Sequence, residues 1–283
     1  MEQNKQQDSG EEKKAFWLIP SRHAARGILQ YTYFRIDRQS EITTPASFHS
    51  EIIFVVSGGC FYEGLEVKKG DVFVYGMSKN PVTSFSTDIE LFSIHISHVL
   101  LYRKFGLMPA AYHEKAMQLS QEHILSRFGR NLLEAPSEQW VDRAELFMEA
   151  LLLEQGSEFQ TDSFECVLRV ARNLEEKGIP DDGVCCQEFG ISRRHLQRQF
   201  IRFFGVTMRD YERVLRFSRA FCKITDQPLA ETALLAGYYD QAHMNREFRQ
   251  MAGMSPQLTA KHTIYTPLRE TLKIREISGE AGE

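Results

Sequence analysis

Residues 190–207, GISRRHLQRQFIRFFGVT, decide the fold of this chain because their pattern recurs 48 residues later in residues 238–255, YYDQAHMNREFRQMAGMS. Each copy reads apolar, amide, arginine, any residue and phenylalanine, and later a glycine with a hydroxyl residue two positions on. The aligned pairs are Leu196 with Met244, Gln197 with Asn245, Arg198 with Arg246, Phe200 with Phe248, Gly205 with Gly253 and Thr207 with Ser255.

This spacing predicts two similar short helices. Apolar residues four apart, ended by glycine, describe one buried face of a helix and its stop. The amide and the arginine between them must then point outward. Two such helices suggest two modules that read base edges in DNA.

The composition is that of a soluble globular protein. The chain has 283 residues, 42% hydrophobic and 25% charged, and this length accommodates two domains, each with its own core. The apolar runs, such as residues 150–153, are far too short to span a bilayer. Residues 1–16 are polar and lack the apolar core of a secretory signal. We therefore expect a cytoplasmic protein that begins with a mobile tail over residues 1–16.

The cysteines indicate reduced thiols. Their number is odd, no C-x-x-C pair occurs, and the neighbours Cys185 and Cys186 point in different directions on a helix. We therefore predict neither a structural disulfide nor a zinc site, and no cofactor. The five residues are Cys60, Cys166, Cys185, Cys186 and Cys222.

The charge is unevenly distributed along the chain. The formal net charge is −4, but residues 184–262 hold twelve Lys and Arg against seven Asp and Glu, a net of +5. Residues 1–183 hold nineteen against twenty-seven, a net of −8. The basic excess thus coincides with the repeat, as phosphate binding requires.

The first half of the chain is predicted to form strands and then helices. Short segments rich in β-branched and aromatic residues alternate with glycine-containing turns, a pattern typical of a small barrel or sandwich. The predicted strands are residues 28–36, 51–56, 71–75 and 90–96. Apolar residues at intervals of three and four then predict helices over residues 117–125, 140–153 and 164–176. Residues 156–163 break this pattern and indicate a linker, and helix 140–153 suits either a dimer seam or an intradomain core.

The last hundred residues are predicted to be helical. Ser192 is a suitable N-cap for the first repeated helix, which buries Leu196, Phe200 and either Phe203 or Phe204. A longer helix over residues 211–224 separates the two copies. The second repeated helix starts at Gln241 and buries the residues Met244, Phe248 and Met251.

In these segments the chain resembles the AraC/XylS family of bacterial transcription regulators. The first copy carries the motif at Phe189-Gly190-Ile191-Ser192 and Leu196-Gln197-Arg198-Gln199-Phe200, followed by Gly205-Val206-Thr207 and Tyr211. The second copy carries it at Gly237-Tyr238, Asp240-Gln241, Arg246-Glu247-Phe248-Arg249 and Gly253-Met254-Ser255-Pro256. The resemblance implies two helix-turn-helix units, near residues 183–204 and 230–253. Their second helices would enter major-groove segments about one turn, or ~10 bp, apart.

The resemblance also implies which side chains contact DNA. Arginine can bond guanine and an amide can bond adenine in a bidentate way. The implied base contacts are Arg194, Gln197, Arg198, Gln241, Ala242, His243, Asn245 and Arg246. Other arginines suit phosphates, which position a protein without reading sequence. The implied phosphate contacts are Arg193, Arg202, Arg213 and Arg249. Ala242 has no hydrogen-bonding group in its side chain, so it gives the second helix less with which to recognise a base.

The N-terminal part is similar, more loosely, to the cupin-like sensor regions attached to such DNA-binding domains. The fold class that we predict is α+β, with a small N-terminal cupin-like β-barrel and helices, and an all-α C-terminal domain. The predicted divisions are a tail over 1–16, a sensor or dimerisation domain over 17–155, a DNA-binding domain over 164–264 and a polar tail over 265–283. Promoter DNA and RNA polymerase are the implied partners, with a small-molecule effector and a homodimer as further options.

Two alternatives stay open from the sequence. His49 and Glu51, two apart on a predicted strand, would share a face and suit a metal pair, so the chain could be a metal-dependent cupin enzyme with a helical appendage. A third interpretation is an architectural or repair accessory protein that binds DNA without regard to sequence. The AraC-type regulator, which is not an enzyme, is the interpretation that the repeat favours.

Overall fold

The structure, a computed structural model, describes residues 14–62, 64–154, 164–178, 180–225 and 227–261. Its strands are β1 (Lys14–Pro20), β2 (Ile28–Thr44), β3 (Ser50–Tyr62), β4 (Leu65–Lys68), β5 (Val72–Tyr75), β6 (Val82–Ile96) and β7 (Ala116–Gln118). Its helices are α1 (His98–Phe105), α2 (Ile124–Leu133), α3 (Trp140–Leu153), α4 (Glu165–Lys177), α5 (Asp182–Glu188), α6 (Arg193–Phe204), α7 (Met208–Lys223), α8 (Leu229–Leu235), α9 (Gln241–Ala252) and α10 (Pro256–Lys261).

The N-terminal part, which we call the sheet domain (residues 14–154), is built on one seven-stranded antiparallel sheet. The strand order is β1-β2-β6-β3-β5-β7, and β4 pairs with β3. Alternate residues of β3 show that both faces are buried. Ile52 and Phe54 pack with α1, α2 and α3, whereas Ile53 and Val55 face the other way, and none of the four is more than 3% exposed.

The second face forms a core from strand residues alone. Its buried members come from β3, β4, β5 and β6, and the partly buried residues around them lie on strands as well. Burial without a covering helix requires that the sheet curl over this face, as it does in a small barrel. The α+β class that we predict is therefore confirmed, with a rolled antiparallel sheet and helices followed by a helical region.

Two local predictions in this region are wrong. Residues 117–125 do not form a helix, because Met117 and Gln118 lie in β7, which pairs with β5, and α2 begins only at Ile124. Short apolar segments satisfy helical and strand spacing equally well, and here pairing with β5 decides. The predicted N-terminal tail is too long, since β1 already begins at Lys14. The predicted linker at 156–163 and the C-terminal tail lie outside the described residues.

Helix α3 agrees with the prediction to the residue, and most of its apolar side chains serve the sheet domain. Trp140, Ala144 and Met148 are buried against the sheet. The indole N–H of Trp140 donates to the carbonyl oxygen of Ala135 at 2.9 Å. Leu146 and Leu153, in contrast, are each 66% exposed. An intradomain core therefore accounts for most of this helix, and a short apolar stripe remains on its outer side.

The helical region packs as the repeat predicts. Leu196 and Phe200 of α6, and Met244 and Phe248 of α9, are 0% exposed. Both Phe203 and Phe204 are buried, whereas the sequence predicted burial of one or the other. Cys60, Cys166, Cys185 and Cys222 are buried, and Cys186 is partly exposed.

The sheet domain and the helical region share one core. Phe48, which precedes β3, is 4% exposed, and its ring centre lies 5.0 Å from that of Tyr211 in α7. Tyr102 of α1 lies 5.3 Å from Phe203, again between ring centres. Lys79 also approaches Asp210 at 3.9 Å between Nζ and Oδ2. These contacts fix the first repeated helix, α6, and the start of the long helix α7 against the sheet domain.

Candidate nucleic-acid interface

Helix α6, the first candidate reading helix, is fixed at both ends and buried along one side. The Ser192 hydroxyl accepts a hydrogen bond from the backbone N–H of His195 at 3.2 Å, which confirms the predicted N-cap. Gly205 ends the helix with φ of +79°, a conformation that favours glycine. The helix therefore presents a defined outer face.

That outer face carries all three base contacts predicted for the first copy. Arg194, Gln197 and Arg198 are exposed. Nη2 of Arg198 donates to Nδ1 of His195 at 3.2 Å. This contact places the Arg198 guanidinium beside the His195 ring.

Helix α9, the second candidate reading helix, begins and ends in the same way. The Asp240 carboxylate accepts from the backbone N–H of His243 at 2.6 Å, and Gly253 has φ of +73°. Ala242 and Arg246 are exposed, whereas other predicted reading residues are only half-exposed. The half-exposed residues are Gln241, His243 and Asn245. The second helix thus offers a flatter and less charged face than the first.

The four predicted phosphate contacts differ in their surroundings. Arg249 is exposed, and the Arg202 guanidinium lies over the ring of Phe164 at 5.6 Å. Arg193 pairs with Asp182, with 2.6 Å between Nε and Oδ2. Arg213 stands apart because it is largely enclosed by the molecule itself.

Beneath α9 lies an ionic network that sequence reasoning missed. Glu247 is 6% exposed, and its Oε1 accepts from Nε of Arg213 at 2.8 Å. Nη2 of Arg216 lies 3.5 Å from the same oxygen, and the Arg216 guanidinium stacks over the Tyr238 ring at 5.0 Å. Burial, followed by the charge of Glu247, raises the pKa of Tyr238. One feature of the sequence indicated this network: the second copy has the acidic residue Glu247 where the first copy has Gln199.

The metal pair considered from the sequence is not formed. His49 precedes β3, which begins at Ser50, so His49 and Glu51 are not two apart on one strand. Glu51 instead faces His95, with 3.7 Å between Oε1 and Nδ1. Within the described part of the chain, no group of three or more His, Cys, Asp or Glu side chains could hold a metal ion. No helix there is long and apolar enough to cross a membrane.

Solved structures align with most of the chain. ToxT from Vibrio cholerae aligns with a TM-score of 0.50 at 14% identity, over 82% of this chain and 97% of that chain. Wild-type ToxT from V. cholerae strain SCE256, with a bound unsaturated fatty acid, aligns with 0.50 at 12% identity, over 90% and 98%. The AraC-like transcriptional activator CuxR gives 0.34 at 18% identity, over 70% and 78%. At these identities the two ToxT structures show a shared fold.

The sequence comparisons point to the helical region. No curated protein matches the chain. Residues 185–262 match the family described as a helix-turn-helix domain, a range that runs from within α5 through α10. The predicted resemblance is thereby confirmed where the repeat lies, and this region of the chain belongs to the AraC type of helix-turn-helix DNA-binding domain.

Proposed function

We propose that the protein is a transcription regulator that reads two DNA half-sites, one with α6 and one with α9. The observation that carries this proposal is the pair of outward faces on two helices of one repeat. Gln197 and Arg198 in the first, and Asn245 and Arg246 in the second, occupy equal positions of the repeat. Leu196 and Met244 beside them are buried. Gln197, Arg198 and Arg246 are exposed on the opposite side, and Asn245 is half-exposed with its Oδ1 buried.

The chemistry of the two faces suits base reading in the major groove. An arginine can donate two hydrogen bonds to O6 and N7 of guanine, and an amide can pair with N6 and N7 of adenine. The shared amide and arginine favour two similar half-sites in direct repeat, about one helical turn or ~10 bp apart. The first helix has Arg194 and Arg202 where the second has Ala242 and Gln250, so we expect the first half-site to bind harder.

Selection of DNA fragments by the purified full-length protein tests this function. Genomic fragments that survive repeated binding at fixed salt should share two similar half-sites spaced by about one helical turn. Competition against random DNA should then give at least a thousandfold preference, on the order that specific binding requires. Binding that random DNA competes equally well would support an architectural protein and contradict a sequence-specific regulator.

We further propose that a small molecule binds inside the rolled sheet and controls the protein. Gln30, His95 and Glu51 face one another across β2, β6 and β3. Gln30 is 1% exposed, and neither polar atom of its amide has a hydrogen-bond partner in the described structure. Thr32 Oγ1 lies 3.1 Å from Nε2 of His95, and burial lowers the pKa of His95 although nearby Glu51 opposes this.

This polar row favours an effector that both donates and accepts hydrogen bonds. A buried amide without partners costs on the order of 1–3 kcal/mol, and such a ligand would remove that cost. The unsaturated fatty acid bound to ToxT is a second class to test. Thermal shift of the wild type and of Gln30→Leu against small hydroxylated compounds and fatty acids tests the site. A compound that stabilises both proteins equally would bind elsewhere.

RNA polymerase and a second copy of the chain are the protein partners that we propose for a regulator. The exposed stripe of Leu146 and Leu153 on α3 supports self-association, since two large apolar side chains there are uncovered. Sedimentation of the full-length protein and of Leu146→Glu tests this arrangement. If the wild type and Leu146→Glu are both monomers at micromolar concentration, then self-association through α3 is contradicted.

A further inference from the structure

We propose that Glu247 is a positioning residue for DNA reading, which sets the orientation of α9 on the linker helix α7. The proposal rests on the proposed function, because it assumes that α9 reads a half-site. Glu247 does not lie on the outer face, since only 6% of it is exposed. It acts on DNA through the arginines that it holds and through the helix that carries it.

The geometry fixes α9 at two points one turn apart. Arg213 of α7 donates from Nε to Glu247 Oε1 at 2.8 Å and from Nη2 to Gln250 Oε1 at 2.9 Å. A planar guanidinium that grips residues i and i+3 of a helix restricts both its rotation and its translation. Arg216 adds a second contact to the same carboxylate. The two arginines and Glu247 form what we call the ionic clamp.

The clamp also reaches the reading face. Nε2 of His243 lies 3.8 Å from Glu247 Oε1, one turn earlier on α9. The ring of His243 stands edge-on to that of Tyr238, with 5.2 Å between ring centres. His243 is therefore held between a carboxylate and an aromatic ring. Its position relative to Arg246 depends on the clamp.

The first copy of the repeat has no equivalent. At the offset of 48, Gln199 corresponds to Glu247, Leu168 to Arg216 and Gly190 to Tyr238. Leu168 is buried in the apolar core of the helical region. The clamp is thus a property of the second copy alone, so its loss should affect one half-site and spare the other.

Removing the charge should have two effects of opposite sign. Removal of one partner from a buried ion pair leaves the other charge uncompensated. The amide oxygen of Glu247→Gln can still accept from Nε of Arg213, so the fold should persist while the charge that orients α9 is lost. Reading of the second half-site should then weaken, about tenfold to a hundredfold, the range that one good base contact contributes. Among the described residues, Arg213 and Arg216 then keep only their ion pairs with Asp210 and Glu212, at 3.7 Å and 3.8 Å. They can turn toward phosphates, and the slope of log Kobs against log salt should steepen by about 1 to 2.

The experiment compares full-length variants on three DNA duplexes: the selected operator, and operators with the first or the second half-site scrambled. Glu247→Gln should bind the intact operator more weakly than the wild type does. On the duplex with a scrambled second half-site it should bind as well as the wild type or better, with the steeper salt slope. Gln199→Ala, the matched variant of the first copy, should keep the wild-type dependence on the second half-site and the wild-type salt slope.

A second variant guards against loss of folding. Arg213→Gln, at a side chain that is 25% exposed, should show the same selective loss at the second half-site without the full rise in salt slope, because one cation is gone. The inference is overturned if both variants discriminate the second half-site as the wild type does, or if they lose affinity equally on all three duplexes. If the wild type itself ignores scrambling of either half-site, the proposed function fails instead.

Discussion

The two candidate reading helices carry the same outward pattern, yet different forces hold them in place. Helix α6 is anchored by aromatic packing that the sheet domain shares. Helix α9 packs Phe248 against Phe217 of α7, with 4.9 Å between ring centres, and the ionic clamp from α7 adds a second anchor. A duplicated module can therefore keep much of its outer pattern while its buried side diverges.

The anchoring of α6 connects it directly to the sheet domain. Phe204 lies 6.0 Å from the ring of His98, between ring centres, and Phe203 contacts Tyr102 and Phe164. At Gly205, an added Cβ would meet the Cβ of His113 at 2.9 Å. A change in the sheet domain therefore has a short path to α6 through packed side chains.

The contact between the sheet domain and α9 is less extensive. The backbone N–H of Ala46 donates to the carbonyl oxygen of Met251 at 2.7 Å, near the end of that helix. At Gly253, which corresponds to Gly205, an added Cβ would meet nothing within 4 Å. We therefore expect an effector in the sheet domain to act first on α6, and on α9 chiefly through α7.

The largest effect should come from removing the ring of Phe48. Phe48→Ala leaves a cavity between Tyr211, His98 and the helical region, and such truncations cost about 3–5 kcal/mol. Hydrogen exchange should show lost protection in α6 and the start of α7, with α9 less affected. Leu234→Ala, at a side chain that is 67% exposed in the second unit, is the control. Equal loss of protection in α6 and α9 would remove the distinction between their anchors.

A smaller effect should separate the two helix-ending glycines. Gly205→Ala and Gly253→Ala each force alanine into the left-handed region, which costs roughly 1–2 kcal/mol. Gly205→Ala also drives a methyl group against His113 and the Cα of Ala110, so its loss should be larger by about 1–2 kcal/mol. Urea denaturation of both variants measures this. Equal midpoints would mean that the contact between α6 and the sheet domain is loose in solution.

Substitution of the arginines on the two outer faces should show which helix contributes more to the free energy of specific DNA binding. Arg198→Ala and Arg246→Ala should each weaken specific binding by about 1–3 kcal/mol and relax specificity at one half-site. The loss from Arg198→Ala should be the larger, because α6 carries more positive charge around that position. Binding titrations with each half-site scrambled in turn measure both. An equal loss on random DNA would reduce these residues to phosphate contacts.

The repeat allowed most of the helical region to be predicted from the sequence. Leu196, Phe200, Met244 and Phe248 follow helical spacing between recognisable caps, so local pattern and tertiary packing agree. The helix predicted over residues 117–125 was wrong for the opposite reason, because local pattern and tertiary pairing disagree there. A three-residue strand such as β7 is defined by pairing with β5, and no local pattern contains that information.

The outer faces of the site were also predictable, but what lies beneath them was not. Arg213 looks like any basic residue on an amphipathic helix, and its capture by Glu247, 34 residues away, depends on how α7 crosses α9. The phosphate contact of Arg213 stays a prediction, and Arg213 would have to leave Glu247 to make it. Gln30 is similar, since only the curl of the sheet buries its amide.

The smallest effect should separate the two N-caps. Ser192→Ala and Asp240→Ala should each cost about 1 kcal/mol in the free energy of unfolding. The Asp240 carboxylate adds a favourable charge at the helix N-terminus but also a negative charge on the side that faces phosphate. Asp240→Asn keeps a capping oxygen, so it should cost only a few tenths of a kcal/mol while it strengthens binding to random DNA at low salt. Urea midpoints together with salt-dependent binding test both signs. If Asp240→Asn leaves DNA affinity unchanged, then the N-terminus of α9 does not approach the backbone, and the second helix must lie in the groove at an angle unlike that of the first.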